Sequence, residues 1–297
     1  MPFLQFPLTF GGNIGLPIKQ TPVLNTITQT PASGRGEIRI PTYEFPRYDF
    51  SLDVTYLTGD AQGTYQGQVI AGGTQWQQLI NFYLAVQGAA NNWYFLHPYD
   101  NSVGTYTIAG SASKAFVVGE TLIQTSTLVT ANFVNLTGSI FTISGYSGST
   151  VPDNTHTWVG QTSKAIWTPS GLPVLASSMA FATAAGGAGQ AYSMIRTYIT
   201  GGAQDLIQNF VGTLETYGPL IYDNGSLVTN TSGTNYTIDE YGTITFTGYT
   251  PTVGHTLSWA GQFYYLCHFL EDSWGDLQED MYQLWTIEGL RFRSVLQ

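Results

Sequence analysis

Hydrophobic and polar residues alternate most regularly between Phe45 and Tyr56. The apolar side chains fall on one face of an extended chain: Tyr48, Phe50, Leu52, Val54 and Tyr56. Asp49 and Asp53 fall on the opposite face. A period of two residues is typical of a strand with one packed side and one polar side, so this stretch predicts a half-buried strand.

A second segment, residues 219–269, combines strand patterns with turn signals. Asn224-Gly225 separates two short apolar runs. This dipeptide is the strongest local signal for a β-hairpin because both residues of such a turn need positive φ. Further along, Ile244 and Phe246 alternate with threonines. The segment predicts an antiparallel meander with one packed face and one solvent-exposed face.

One stretch, Thr74–Ala90, has the pattern of a substantial helix. Thr74 and Gln77 can form a capping box, and Gly88 suits a left-handed cap at the end. The apolar residues recur at helical spacing: Trp76, Leu79, Ile80, Tyr83 and Val86. The predicted fold class is therefore mainly β, with an antiparallel β-sandwich or meander core, one amphipathic helix and an inserted small all-β domain.

The inserted domain is predicted from a change in composition at residues 101–191. Ser, Thr, Gly and Ala dominate there, with short apolar runs and turn signals roughly every ten residues. Residues 180–189 are rich in Ala and Gly and predict a flexible return linker, with a short helix as the alternative. We expect residues 1–100 and 192–297 to form a discontinuous core that stays folded when residues 103–188 are deleted.

Composition limits the possible functions. Asp and Glu outnumber Lys and Arg by 19 to 9, which gives a formal net charge of −10. Nucleic-acid binding needs clustered Lys and Arg, so we expect no stable binding to DNA or RNA. No run approaches the ~18 apolar residues of a membrane helix, and we expect no membrane partner. The single cysteine, Cys267, excludes a disulfide within one chain.

Candidate chemistry is sparse along the chain. The acidic segment Glu271–Asp280 predicts a solvated turn or a partner contact, with a cation site or a catalytic carboxylate pair as alternatives. The four histidines show no spacing typical of metal ligands. His97, next to Pro98 and near Asp100, is interpreted as a structural polar contact. The sequence therefore predicts no enzymatic activity, no metal and no cofactor.

Oppositely charged residues near the first predicted strands form another group. The group consists of Arg35, Glu37, Arg39, Glu44, Arg47 and Asp49. These side chains can pair across strands on an ordinary mixed surface, or they can form bridges between subunits. Both interpretations stay open at the level of the sequence.

The order of several short motifs resembles the phage distal tail protein family, in the branch also found in gene transfer agents. The motifs are Phe6-Pro7 followed by Phe10-Gly11-Gly12, Arg47-Tyr48-Asp49, the helix end Phe82–Gly88, the hairpin Tyr236–Phe246 and the ending Leu284–Arg291. The resemblance covers roughly residues 3–100 and 192–297. This chain lacks the basic residues that the family tends to carry between the helix and Asp100, and residues 101–191 have no counterpart in the pattern.

The resemblance implies a structural virion protein at the tip of a phage or phage-like tail, which assembles in the host cytoplasm. It implies a homo-oligomeric ring, six-fold in symmetry, that surrounds the DNA channel. The ring would join the tail tube protein to the baseplate hub protein, and the tape measure protein is a further partner to consider. Expected residues of the subunit interface are Arg35, Glu37, Arg39, Arg47, Asp49, Glu288 and Arg291.

An alternative function places recognition in the inserted domain. A receptor- or carbohydrate-binding tail protein would use exposed aromatic rings to stack on sugars. Trp158 and Trp167 are the candidates within residues 101–191. The competing interpretation of both residues is that they are buried core aromatics.

Overall fold

The computed structural model describes the chain in segments. These are residues 4–7, 14–29, 38–41, 46–58, 64–65, 68–69, 75–97, 100–127, 129–146, 152–187, 189–193, 195–197, 204–206, 219–230, 233–239, 242–273, 277–281 and 284–295. The described segments divide into two compact units, each with its own sheets. The first unit comprises residues 1–96 and 265–297, and the second comprises residues 97–264.

The described segments contain 28 strands, one α-helix and one short 3-10 helix, which confirms the prediction of a mainly β fold with one helix. The first elements are β1 (Leu4–Gln5), β2 (Ile14–Val23), β3 (Thr26–Gln29), β4 (Ile38–Pro41), β5 (Arg47–Thr58), β6 (Thr64–Tyr65), β7 (Gln68–Val69), α1 (Gln75–Ala85), the 3-10 helix (Gly88–Ala90) and β8 (Trp93–Phe95). The following strands are β9 (Ser102–Val103), β10 (Thr105–Ala112), β11 (Thr121–Gln124), β12 (Thr130–Thr137), β13 (Ile140–Ser144), β14 (Trp158–Gly160), β15 (Ile166–Pro169), β16 (Val174–Ser177), β17 (Met179–Thr183), β18 (Ala191–Ser193), β19 (Ile195–Thr197) and β20 (Gln204–Leu206). The last strands are β21 (Leu220–Asp223), β22 (Ser226–Leu227), β23 (Tyr236–Ile238), β24 (Thr243–Phe246), β25 (Thr256–Gln262), β26 (Tyr265–Phe269), β27 (Leu277–Met281) and β28 (Leu284–Ser294).

The first unit is built on a sheet in the order β1-β8-β26-β28-β5-β2, with β27 also paired to β28. The predicted alternation in β5 is confirmed, since Tyr48, Phe50, Leu52 and Val54 are buried. These residues occupy alternate positions along the strand, so they share the packed face of the sheet. The long pairing of β5 with β28 places them beside the buried residues of the last strand.

Aromatic rings fill the core of the first unit. Phe292 of β28 contacts Phe50, Phe95 and Trp93 at ring-centroid distances of 5.1, 4.8 and 4.9 Å. Phe82 of α1 meets Trp93 edge to face at 5.4 Å. Full burial of a phenylalanine contributes about 1.5–3 kcal/mol. One aromatic cluster therefore holds the helix against three strands of the sheet.

The helix is shorter than predicted. It runs over Gln75–Ala85, and the 3-10 helix Gly88–Ala90 follows it. Gln87 and Gly88 both adopt left-handed conformations, with φ of 58° and 61°. A left-handed residue cannot continue an α-helix, so the chain turns at the position where the sequence predicted a glycine cap. Thr74, the predicted N-cap, lies outside the described residues.

A bulge in β28 keeps its buried residues in phase with β5. Leu52 and Val54 are two residues apart on β5, whereas their partners Leu290 and Ile287 are three apart on β28. The extra residue would turn one of these side chains out of the core if the strand were regular. Gly289 takes up the extra residue at a φ of 69°, where glycine is favoured because it has no Cβ.

The second unit contains a sheet that closes on itself. Its strands follow the order β13-β12-β11-β14-β15-β10-β16. Because β10 pairs again with β13, the first six strands form a ring, and β16 lies outside it. Closure leaves no free edge in this ring of six strands. Aromatic and aliphatic residues fill its interior, including Ile108, Leu122, Phe133, Phe141, Trp158 and Trp167. The predicted all-β character of residues 101–191 is therefore confirmed.

A buried carboxylate fastens one end of the closed sheet. Glu120 accepts hydrogen bonds from the backbone N–H groups of Val117, Thr162 and Ser163 at 2.7–3.0 Å, and from Ser163 Oγ at 2.7 Å. Burial raises the pKa of Glu120, but these hydrogen bonds outweigh it and hold the pKa below its ordinary value. The charged form thus joins the turn before β11 to the turn after β14.

The segment predicted as one meander, residues 219–269, does not form a single meander: β23 and β24 form a separate sheet with β18, and β26 belongs to the first unit. Strands β21, β22 and β25 lie in a five-stranded sheet of the second unit, and not in the core predicted from residues 192–297. Its central strand, β25, pairs with β21 and with β17, and its end pairs with β9. Leu220, Tyr222 and Ala260 of this five-stranded sheet join the hydrophobic cluster of the closed sheet. The hydroxyl groups of Tyr106 and Tyr222 lie 2.5 Å apart. The return boundary is therefore at residue 264, and not at residue 191 as predicted.

The predicted return linker also differs from the structure. Ala180–Thr183 belongs to β17 and pairs with β25, so both the flexible linker and the short helix are wrong for these residues. Ladder hydrogen bonds to a buried neighbouring strand override the weak local preference of Ala for a helix. A deletion of residues 103–188 would remove β17 and every strand of the closed sheet, so β25 would lose a pairing partner. The first unit contains none of these residues, and the expectation that the remaining chain stays folded is still a prediction.

The hydrogen bonds of Glu120 lead to a stability prediction. Glu120→Gln replaces an acceptor oxygen with an amide that faces N–H donors, so we expect a loss of about 1–3 kcal/mol in the free energy of unfolding at pH 7. The pKa of Glu120 is lowered on folding, so its contribution is present above its unfolded pKa and is lost as the pH falls through the folded value. The difference between wild type and variant should therefore shrink as the pH falls below about 4.

Urea denaturation at pH 7 and at lower pH measures this difference. Glu288→Gln is the matched control, because Glu288 is exposed on β28 and the substitution makes the same change in charge. Equal stability of wild type and the Glu120 variant at pH 7 would contradict the assigned role.

Candidate subunit interface

The structure brings together part of the predicted interface group. Four of the predicted residues lie in the sheet of the first unit: Arg47, Asp49, Glu288 and Arg291. Arg39 lies on β4, opposite Thr28 of β3, in a separate two-stranded sheet. Arg35 and Glu37 lie outside the described residues.

The polar face of this sheet is a consequence of strand alternation. Tyr48 and Phe50 are buried, so Arg47 and Asp49 point to the opposite side of β5. On β28, Phe292 is buried, and the arginines on either side of it share the polar face with Asp49. We call this side of the sheet, opposite the aromatic core, the polar face.

Asp49 and Arg293 form the best-defined ion pair on the polar face. They are direct cross-strand partners, and the guanidinium Nε and Nη2 lie 2.5 and 2.8 Å from the two carboxylate oxygens. Two parallel N–H···O bonds fix the orientation of both groups. The two side chains are 31% and 33% exposed, so solvent screening reduces the stabilisation to roughly 1 kcal/mol.

A second ion pair, between Arg291 and Glu271, is weaker. The closest nitrogen and oxygen atoms lie 4.0 Å apart, and the side chains are 64% and 59% exposed. An exposed pair at this distance adds almost nothing to stability. Arg291 is therefore available to interact with a partner at low energetic cost.

Two further acidic residues accompany the bulge of β28. The Oδ1 atom of Asp53 accepts a hydrogen bond from the N–H of Gly289 at 2.9 Å. Glu288 precedes Gly289 and is exposed. At the bulge, the Asp53 carboxylate therefore binds the backbone, while the Glu288 carboxylate is exposed to solvent.

His268 extends the row of Asp49 and Arg293 onto β26. It lies directly opposite Arg293. Burial lowers its pKa, and the positive charges of Arg293 and Arg47 lower it further, while Ala89 and Asp49 act in the opposite direction. The ring is therefore neutral at physiological pH and contributes a polar but uncharged group to the row.

Sequence reasoning missed Arg293 and His268. The signal for Arg293 was present, because Arg291-Phe292-Arg293 alternates in the same way as Arg47 to Phe50. His268 had no comparable signal, since its relation to Arg293 depends on the register of β26 against β28. A register between strands distant in sequence cannot be read from either strand alone.

The structure contradicts the prediction that Trp158 and Trp167 stack on sugar rings. Trp158 and Trp167 are both 0% exposed and lie in the core of the closed sheet. Trp167 stacks on Phe141 at 4.7 Å with an interplanar angle of 11°, which covers a ring face with protein. Neither indole can offer a face to a sugar, so this part of the alternative prediction is wrong. Carbohydrate binding by the second unit stays a prediction without assigned residues.

The sequence analysis also missed a group of hydrogen bonds around one carboxylate of the second unit, that of Asp223. Asp223, at the end of β21, lies 2.6 Å from the Tyr249 hydroxyl, 2.8 Å from His255 Nδ1 and 3.3 Å from the N–H of Thr252. Burial raises the pKa of Asp223, but the hydrogen bonds from Tyr249 and His255 outweigh it and lower the pKa overall. The group connects a hairpin end to the loop before β25, and these contacts are those of a structural tie.

Other candidate sites give a similar result. His97 Nδ1 accepts a hydrogen bond from the N–H of Asp100 at 2.8 Å, as expected for a structural polar contact. In the segments that the structure describes, no group of three or more His, Cys, Asp or Glu could hold a metal ion. No helix among those segments is long and apolar enough to cross a membrane. Residues 274–276 of the acidic segment lie outside the described residues.

The geometry of the two ion pairs leads to a prediction about their relative strength. A double-mutant cycle on Asp49→Ala and Arg293→Ala should give a coupling energy of about 1 kcal/mol. The matched cycle on Glu271→Ala and Arg291→Ala should give less than about 0.3 kcal/mol, because that pair is long and exposed. Chemical denaturation of the six proteins and wild type measures both values. A larger coupling for the second pair would contradict the interpretation.

No protein-family model matches the chain, and no curated protein matches its sequence.

Proposed function

We propose that this protein is a structural subunit of a phage or phage-like tail tip. In this proposal, copies of the chain form a closed ring that joins the tail tube to the baseplate hub and surrounds the path of the DNA. The protein acts mechanically, by positioning and sealing its neighbours, and it carries out no reaction. A closed ring requires a heterologous contact, in which one surface of each copy meets a different surface of the next.

The observation that carries the proposal is that several of the resembling motifs pack together in the first unit, whereas the hairpin Tyr236–Phe246 lies in the second unit. Phe6, from the first motif, contacts Phe82 of the helix end at 5.5 Å and Trp93 at 5.2 Å. It also lies 6.3 Å from Phe292, which follows the last motif directly. Residues more than 280 positions apart in sequence therefore form one aromatic core. Motifs that meet in space support a common structural role better than a shared order along the sequence does.

The polar face gives further support. It presents paired charges on a sheet whose other side is filled by the aromatic core. Charged groups across an interface determine register and exclude wrong partners more than they add raw affinity. A scaffold protein that must meet identical neighbours in one orientation needs such a surface.

Exposed apolar residues in the second unit are also consistent with contacts to other proteins. Ile140, Leu172 and Val174 are 40%, 75% and 61% exposed. Scattered apolar side chains are common on protein surfaces, so these residues alone do not define a partner. With only 9% charged residues overall, much of the surface suits burial against protein.

Electron microscopy tests the proposal directly. Purified protein in negative stain should show closed rings, with six-fold symmetry in class averages. Gold-labelled antibodies against the protein should bind at one end of the tail of the corresponding particle. An antibody against an unrelated tail protein provides the control. A monomer at every concentration, together with label elsewhere on the particle, would contradict the proposal.

The charge of the chain leads to a prediction about DNA. A net charge of −10 per copy is multiplied in a ring, and its repulsive field decays over about 8 Å at physiological salt. We therefore expect no measurable binding of duplex DNA at ~0.15 M salt. Fluorescence anisotropy with a labelled duplex measures this, with a basic DNA-binding protein as the positive control. Tight binding that weakens as salt rises would count against the ring as a passive conduit.

A further inference from the structure

The positive charges of this acidic chain are distributed unevenly. Four of its nine Lys and Arg residues lie at one end of the polar face of the first unit: Lys19, Arg47, Arg291 and Arg293. Asp49 lies among them and is the partner of Arg293. We call these five residues the basic strip.

Strand register places these residues on one side of the sheet. Lys19 of β2 and Arg291 of β28 are both opposite Ser51 of β5, one from each side. Asp49 lies two residues from Ser51 on the same strand, so it shares the same face. Residues directly opposite each other in antiparallel strands project to the same side, and the strip therefore crosses three neighbouring strands.

The strip differs in sign from the rest of the chain. Its four cations and one carboxylate carry a net charge of +3, while the chain as a whole carries −10. The remaining residues of the same chain therefore carry −13. Any surface of a second copy outside the strip is, on average, of opposite charge to the strip.

We propose that the basic strip is a docking surface for the acidic surface of a second copy of this chain. The inference rests on the ring proposed above and names the half of its contact that lies on the first unit. Lys19 and Arg291 are the exposed members of the strip, so they meet the partner. The pair Asp49–Arg293 holds the guanidinium in place beside them.

The size of the strip defines what it can contribute. Three strands and five residue positions span about 10 Å by about 13 Å. A stable interface buries about 800 Å² on each partner, so the strip is a small part of the contact. Charges in such a position accelerate association and select the orientation, while the surrounding surface supplies the buried area.

A phosphate backbone is the competing occupant, since it is also anionic. Binding to duplex DNA at physiological salt requires several cations that contact successive phosphates. Here Arg293 is paired with Asp49 at hydrogen-bonding distance, and Arg291 lies 4.0 Å from Glu271. The −13 on the remaining residues would also repel the duplex, whereas it attracts the strip of a neighbouring copy.

Charge reversal of the two exposed cations tests the inference. In the variant with Lys19→Glu and Arg291→Glu, we expect the self-association constant to fall at least about tenfold, because like charges then face each other. Analytical ultracentrifugation measures the constant at several NaCl concentrations. Wild-type association should weaken as salt rises, and that dependence should be much smaller in the variant. The neutral variant with Lys19→Gln and Arg291→Gln should fall between the two.

The matched control reverses two exposed lysines of the second unit, Lys114→Glu and Lys164→Glu. This control changes the net charge by the same amount but leaves the strip intact. We therefore expect its self-association constant to differ from the wild-type value by no more than about threefold. Circular dichroism and thermal unfolding verify that all variants fold.

The outcomes separate this inference from the proposed function. If rings form and the strip variant assembles as well as wild type, the docking surface is wrong and the ring proposal stands. If wild type forms no oligomer in any condition, both are wrong. If the strip variant loses binding to duplex DNA while its self-association is unchanged, the occupant of the strip is nucleic acid and the inference is overturned.

Discussion

The structure of the first unit depends on the register between β5 and β28. With Phe50 opposite Phe292 in the core, Asp49 and Arg293 must be opposite each other on the polar face. A slip of one residue would expose the aromatic rings and bury the charges, at a cost of several kcal/mol for each group. The same pairing thus determines both the core and the surface, and the bulge at Gly289 preserves it over a strand with one extra residue.

The second unit is under a different constraint, because residues 101–191 include only four charged side chains with which to protect the free edges of a sheet. Closure of the sheet through β10 and β13 removes those edges. A closed sheet still exposes its turns, and Glu120 satisfies the N–H groups of two of them with one carboxylate. The charged form is maintained by hydrogen bonds and not by a cation, which suits a chain with few Lys and Arg.

Local patterns predicted the elements far better than they predicted which elements belong together. The buried positions of β5, the hairpin turn at Asn224-Gly225 and the helix that ends near Gly88 all follow from short-range rules. The boundary at residue 264 depends on the pairing of β25 with β9, β17 and β21, which are far apart in sequence. The composition change near residue 191 reflects a shift in side-chain types and not the end of a hydrophobic core.

In the candidate interface, too, local patterns predict single strands but not which strands lie side by side. Alternation alone places Arg47 and Asp49 on one face, but the basic strip exists because Lys19, on β2, and Arg291, on β28, are both registered to Ser51. The residues next to Lys19 and Arg291 in the sequence do not predict that both lie opposite Ser51. A chain with nine cations can therefore create a positive surface without any basic motif, provided that its longest strands align. For acidic chains with few charged residues, strand register is a more informative guide to the position of charged surfaces than the local density of charge along the sequence.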